Sequence, residues 1–196
     1  MDIDVPLREL GTIAVAPLSE AILSLPRAAW LDNQQRQQDY DVHRNTESVV
    51  LIFTDGEGWP EITLTRESGW DLLSSVAVPI MTAIIKNHYE HGGTIIRAMA
   101  AKLLPGEVIT PHRDGHPSFH HGHRIHIPIK TNPRVRFMIE GRPYKMKVGE
   151  AYEINNQKTH SVMNKGVEER INFIFDYVPP KLIEASVKTH KASSTA

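Results

Sequence analysis

The 196-residue chain contains no cysteine, which excludes disulfides, thiolate nucleophiles and thiolate-bound metals at the outset. Net charge is also nearly absent: 22 Lys plus Arg stand against 23 Asp plus Glu, a balance of -1. A surface without a dominant sign offers no field to a nucleic-acid backbone or an anionic membrane, so neither is expected as a partner. Long apolar runs are missing as well, and none approaches the roughly 18 residues of a membrane span. The first thirty residues open with acids and lack a basic stretch followed by an apolar one; nothing marks them for export, and the cytoplasm is the expected location. With 40% apolar residues, the length suits one soluble domain around one core. What the chain has in excess is histidine. Of 11 in total, six (His112, His116, His120, His121, His123 and His126) fall within 15 residues.

The character of the sequence changes near residue 92. Before it, helices and loops are expected to dominate. Ser19 can cap a short helix to Leu25, where Pro26 interrupts it, and a longer helix is expected from Val78 to Glu90, with Pro79 in its first turn and Gly92-Gly93 as the stop. Ser48 to Thr54 reads as a strand. The polar segment 33–41, NQQRQQDYD, is either a solvated connector or a mobile loop over a site. From Thr94 onward, short strands are expected near 95–103, 108–111, 123–130, 134–140, 142–147, 151–154, 160–163 and 169–178, a series typical of an antiparallel sandwich or barrel. Glu140-Gly141 suits a tight hairpin turn. Two strands alternate informatively. Ile125, Ile127 and Ile129 share one face against Arg124 and His126, and Ile171, Phe173, Phe175 and Tyr177 oppose Arg170, Asn172 and Asp176. A sheet sealed by helices on one side and lining a polar cavity on the other would produce that pattern. Residues 181–196, beyond Pro179-Pro180, read as a flexible C-terminal tail.

In TPHRDG, His112 and Asp114 are two apart and point the same way on an extended backbone; His160 follows 46 residues later. Two imidazoles and one carboxylate on one face of a metal leave three positions open, as in non-haem iron(II) enzymes. The same spacing also arises in purely structural or surface pairs. Arg170, ten residues after His160, projects onto the polar face, where its guanidinium needs either a planar dicarboxylate ligand or an internal partner such as Asp176 or Glu169. Arg97 and Arg44 are candidates to hold a substrate carboxylate, or plain surface charge. The histidines of DGHPSFHHGHR sit in a loop expected at the mouth of the site, where solvation accounts for them more readily than contact with substrate or an adventitious metal. Trp30, Trp59 and Trp70 suit packing, since no basic stripe accompanies them. No nucleophile elbow or paired base is present, so no catalytic side chain is assigned.

LLPGEVITPHRD, HRIHIPI, GEAYEINNQKTHSVMN and EERINFIFDYVP, taken together and in order, resemble the core of the aspartyl/asparaginyl beta-hydroxylase family of iron(II)- and 2-oxoglutarate-dependent oxygenases. The resemblance covers about residues 94 to 178 and implies a mainly β, double-stranded β-helix (jelly-roll, cupin-like) fold with N-terminal helices packed on one sheet. It implies a single oxygenase domain over 1–180, with its β-helix core at about 94–178. It further implies that His112, Asp114 and His160 hold Fe(II), that Arg170 binds the distal carboxylate of 2-oxoglutarate, and that Arg124 and His126 help to hold the cosubstrate. Oxygen is then the third participant, and 2-oxoglutarate leaves as succinate and CO2. The expected substrate is a small molecule, an amino acid or an amino-acid-like carboxylate hydroxylated at an unactivated C-H. Free-proline hydroxylases similar to this chain carry a helical extension after the last core strand, a departure that counts against proline itself as substrate. A cupin-like barrel that binds or isomerises a small acid without oxygen would keep the metal ligands but have no use for Arg170, and a zinc hydrolase would work without oxygen.

Overall fold

Strands that alternate large apolar with polar side chains need a different neighbour on each face. The computed structural model, which describes residues 1–32, 46–55 and 58–183, supplies both. In chain order the elements are β1 (Leu7–Thr12), α1 (Ala16–Leu23), α2 (Arg27–Leu31), β2 (Thr46–Asp55), β3 (Thr63–Arg66), α3 (Gly69–His88), β4 (Thr94–Leu103), β5 (Val108–His112), β6 (His123–Lys130), β7 (Val135–Ile139), β8 (Arg142–Tyr144), β9 (Glu150–Ile154), β10 (His160–Asn164) and β11 (Arg170–Val178). They form two antiparallel sheets, one ordered β1-β9-β6-β11-β4-β2-β3 and the other β5-β10-β7-β8. This is a mainly β jelly-roll with its helices on one side.

The outer face of the large sheet carries the main core. Ile125, Ile127, Phe173 and Phe175 pack there against Leu18 and Ile22 of α1, Trp30 of α2, and Leu73, Ala77, Met81 and Ile84 of α3. Gly69 opens α3 where it meets β2, since a Cβ there would lie 2.4 Å from the carbonyl oxygen of Val50. Among the described residues α3 is the one helix long and apolar enough to cross a membrane, yet its buried stripe faces this sheet. A second, smaller cluster lies between the sheets, with Leu103, Ile109, Phe137, Ile139, Ile154 and Val162. The inner face of β11 therefore presents Arg170, Asn172, Ile174 and Asp176 to the interior of the barrel.

From Thr94 onward the strands fall within a few residues of expectation, and the β7–β8 hairpin turns at Glu140 and Gly141, with φ of 49° and 76°. Two consecutive positive φ values give the turn the hand that matches strand twist. The first half of the chain corrects the reading. Beside β2, which covers the strand expected over Ser48 to Thr54, it contributes two further strands, β1 and β3, to the large sheet where helix and loop were expected. Helix α3 begins at Gly69 and runs through Pro79 instead of starting beside it. Pro79 is exposed and removes one backbone donor from a helix that nevertheless continues through it. Helix α1 starts at Ala16, with Pro17 in its first turn. The segment 33–41 and residues 184–196 of the tail lie outside the described residues, while 180–183 form a helical turn.

The β10–β11 turn, which delivers Arg170, is tied down by Asn164. Its fully buried amide donates to the carbonyls of Leu103 (3.3 Å), Leu104 (3.3 Å) and Glu168 (2.8 Å), and its Oδ1 accepts from Gly166 N and Asn132 Nδ2, both at 3.1 Å. Asn164→Ala strands these groups in the interior, and a loss of about 2–4 kcal/mol is expected in a urea unfolding series. An unchanged midpoint would show that the turn holds without it.

Candidate metal centre

Strands β5 and β10 are antiparallel neighbours, and their register places His160 opposite His112. Asp114 lies just past the end of β5, its backbone N–H donating to the carbonyl of Asn156 at 3.3 Å. One ligand atom from each of His112, Asp114 and His160 falls within 4.8 Å of the others, and His112 Nε2 is 4.0 Å from Asp114 Oδ1. Nδ1 of His112 donates to the carbonyl of Thr110 (2.7 Å), and Nδ1 of His160 to that of Lys158 (3.0 Å). A carbonyl can only accept, so each Nδ1 carries the proton and each Nε2 keeps its lone pair. Two oriented imidazole nitrogens and one carboxylate oxygen are a donor set for a divalent metal.

The surrounding charges set the protonation of these ligands. Burial pushes the Asp114 carboxyl up, but Arg124 foremost, then the His160 and His112 imidazoles, outweigh it and hold the group below the ordinary carboxylate range. Burial lowers His160 below its ordinary 6.5, against the pull of Asp114. Both shifts favour the metal-binding forms, ionised carboxylate and neutral imidazole. A depressed histidine pKa contributes stability that is complete above the unfolded value of 6.5 and is lost as pH falls through the folded one. In the metal-free protein the His160 ring should therefore titrate by NMR with a midpoint below 6.5, and its part of the stability should decline only on the acid side of that value. A midpoint above 6.5 would contradict the burial argument.

Arg124 Nη1 donates to Asp114 Oδ2, and its Nε lies 3.3 Å from Asp176 Oδ1. Asp176, 1% exposed, also faces Arg97 Nη1 at 3.6 Å, and Arg97 Nη1 donates to Ser118 Oγ at 2.9 Å. Register explains the convergence: Asp176 of β11 stands opposite Arg97 of β4 on one side and Arg124 of β6 on the other. Phe119 lies against both guanidinium groups, its ring centroid 4.3 Å from that of Arg97 and 4.6 Å from that of Arg124. Asp114 is thus oriented by a buried chain of alternating charge.

The three ligands line a cavity between the sheets together with Arg124, His126, Phe137, Ile174 and Arg170. His126 Nδ1 meets the Asn172 amide nitrogen at 3.2 Å. Arg170 is 5% exposed, and among the described residues its guanidinium makes no ion pair or hydrogen bond; Phe137 lies 5.9 Å away. Both internal partners considered for it are engaged elsewhere, Glu169 with Lys130 at 3.1 Å and Asp176 with the two other arginines. Burial pushes the Arg170 guanidinium down to about 10, so it stays charged at neutral pH.

The residues singled out in the sequence are thus divided. His112, Asp114, His160, Arg124, His126 and Arg170 share one cavity. Arg97 is buried behind it in the Asp176 cluster and is not among its lining residues. Arg44 lies outside the described residues. The histidine segment forms a 3-10 turn over Pro117–His120, in which His116 Nδ1 accepts from Ser118 N at 3.2 Å, while His123 pairs with buried Glu153 at 2.5 Å. The hub at Asp176 and the aromatic cover of Phe119 were not singled out as site residues from the sequence. Asp176 had one signal, its parity with Arg170 on β11.

Two facing sheets around a His/Asp/His constellation define a jelly-roll metalloprotein with an open-sided metal site. A sequence profile of the aspartyl/asparaginyl beta-hydroxylase family matches residues 22–180. The chain belongs to that family and is a non-haem oxygenase that uses Fe(II), 2-oxoglutarate and O2. No curated protein sequence matches it. Similar solved structures include an oxidoreductase of the 2OG-Fe(II) oxygenase family from Burkholderia pseudomallei, with 12% identity, TM-score 0.53 and coverage of 85% of this chain and 90% of that one. A Pseudomonas putida prolyl-4-hydroxylase gives 13%, 0.53, 90% and 94%. The viral collagen prolyl hydroxylase of Paramecium bursaria Chlorella virus-1, in its 2OG complex, gives 11%, 0.52, 90% and 97%. At these identities the likeness is one of fold.

Proposed function

We propose that this oxygenase hydroxylates an unactivated C-H of a small amino acid or amino-acid-like carboxylate, with 2-oxoglutarate leaving as succinate and CO2. In this reading His112, Asp114 and His160 hold Fe(II), which when bound supplies the oxidising chemistry with the cosubstrate and oxygen. The observation that carries it is Arg170: a buried, charged guanidinium without an ion pair among the described residues, in the same cavity as the three ligands. Such a group is costly to bury alone and is compensated by a planar carboxylate brought in from solution. The residue fits the distal carboxylate of 2-oxoglutarate, while Arg124 and His126, which line the same cavity, fit its other end. Arg97 acts as a positioning residue, bracing Asp176 and through it Arg124 and Asp114, rather than touching substrate; Arg44 is kept as a candidate substrate contact. The test is succinate release from 2-oxoglutarate with iron(II), ascorbate and oxygen, across a panel of free amino acids. Stimulation by one or a few members is the expected result. Turnover that no amino-acid carboxylate stimulates would overturn the substrate class.

A further inference from the structure

Arg170 and Phe137 line a second cavity as well. It lies beyond them, has a volume of about 410 Å³, and is closed in by the β6–β7 connection and the stretch that follows β8. Arg136, Lys145 and Lys147 also line it, and no acidic side chain does. Lys147 pairs with Glu150 at 3.2 Å, outside the cavity lining, and Arg136 Nη1 donates to the carbonyls of Pro133 (2.7 Å) and Val135 (2.9 Å), with no ion pair among the described residues. Lys145 is exposed and forms no ion pair among the described residues. The cavity thus has a buried cation at its inner end, exposed cations at its rim, and Phe137, Tyr144 and Met146 among its walls.

We infer that this vestibule is a second binding site, for an elongated dicarboxylate with a hydrocarbon spacer. One carboxylate meets Arg170 from behind, the other meets Lys145 and Arg136 at the rim, and the spacer lies along the apolar walls. A guanidinium has five donors in one plane and can offer one edge to each cavity. Phosphate would use the cations but leave the apolar walls unused. On the reading that Arg170 also anchors 2-oxoglutarate, the two ligands share one cation and repel each other. Each then weakens the other by the same factor, because linkage between binding sites is reciprocal.

The test is calorimetric titration of the metal-free, full-length chain with adipate as the probe, and with inorganic phosphate as the comparison. Saturable adipate binding is expected, weakened by about fivefold or more in Lys145→Glu and in Arg136→Gln. Both residues are exposed and lie outside the metal cavity, so 2-oxoglutarate affinity measured in the same variants should stay at the wild-type value. Adipate should weaken 2-oxoglutarate binding to the wild type by about fivefold or more, and less in Lys145→Glu. Absence of adipate binding overturns the proposal. So does adipate binding that both variants leave unchanged, which would seat the probe on the metal side of Arg170. Phosphate binding as tight as adipate, with the same sensitivity to the variants, overturns the dicarboxylate assignment in favour of a general anion patch. The measurement needs neither metal nor turnover, so failure to hydroxylate any amino acid would sink the proposed function and leave this result standing.

Discussion

Asp114→Ala and His160→Ala are each expected to reduce iron(II) binding by more than the 10- to 100-fold typical of losing a hydrogen-bonded support to a metal ligand, and to bring succinate release below detection. The two substitutions fail for different local reasons. Removing the Asp114 carboxylate also deprives Arg124 Nη1 of an acceptor and takes one of two carboxylates away from a nearly buried guanidinium, the other being Asp176. Removing His160 takes away a ring that stacks on Phe137 at 6.4 Å and packs against His112 at 4.4 Å, so part of the loss appears as lower stability. Metal titration of the folded variants separates the two effects. Wild-type metal affinity and turnover in both would mean that the metal sits elsewhere.

Arg170→Met should raise the 2-oxoglutarate requirement by roughly 30- to 150-fold, the equivalent of about 2–3 kcal/mol of charge-assisted bonding. Its effect on the metal-free fold should run the other way. Breaking a buried ion pair is usually destabilising, but Arg170 has no such pair among the described residues, and replacing a lone buried cation by an apolar side chain of similar length removes a desolvation cost. A urea series on the metal-free variant is therefore expected to show a midpoint equal to or above that of the wild type, while the dependence of turnover on 2-oxoglutarate worsens. An unchanged cosubstrate requirement would assign the anchor to another residue. A large drop in the midpoint would mean that Arg170 serves the fold.

Much of the second half of the chain was legible because its strands alternate cleanly. Strand β6 has the limits read from periodicity alone, and β11 differs by one residue. In the first half, β1 buries only Leu10 along its length and β3 buries nothing, so neither edge strand has an alternation to detect. Helix α3 does carry a helical stripe, Leu73, Ala77, Met81 and Ile84, but it runs across Pro79, and a proline read as a helix start hides the two turns before it. The His112, Asp114 and His160 cluster was legible because His112 and Asp114 are near neighbours in sequence and His160 starts a strand. Arg97 was a harder case. Its partner Asp176 is its cross-strand neighbour only because β4 lies beside β11, and strand order is decided by packing across the whole sheet rather than by local pattern. Without that order an arginine on the polar face of a strand looks free to meet a substrate.

Strand β11 begins at Arg170 and brings Asp176 round to the ligands, with Phe173 and Phe175 of the same strand seated under the helices. A shift of its pairing by one position would therefore do two things at once, driving arginine and aspartate into oil and turning phenylalanines into the cavity between the sheets. Correct alignment and chemical competence are one property of this strand. A misaligned molecule cannot persist as a well-packed but inert barrel, because the error that silences the site also dissolves the core that would have kept it folded.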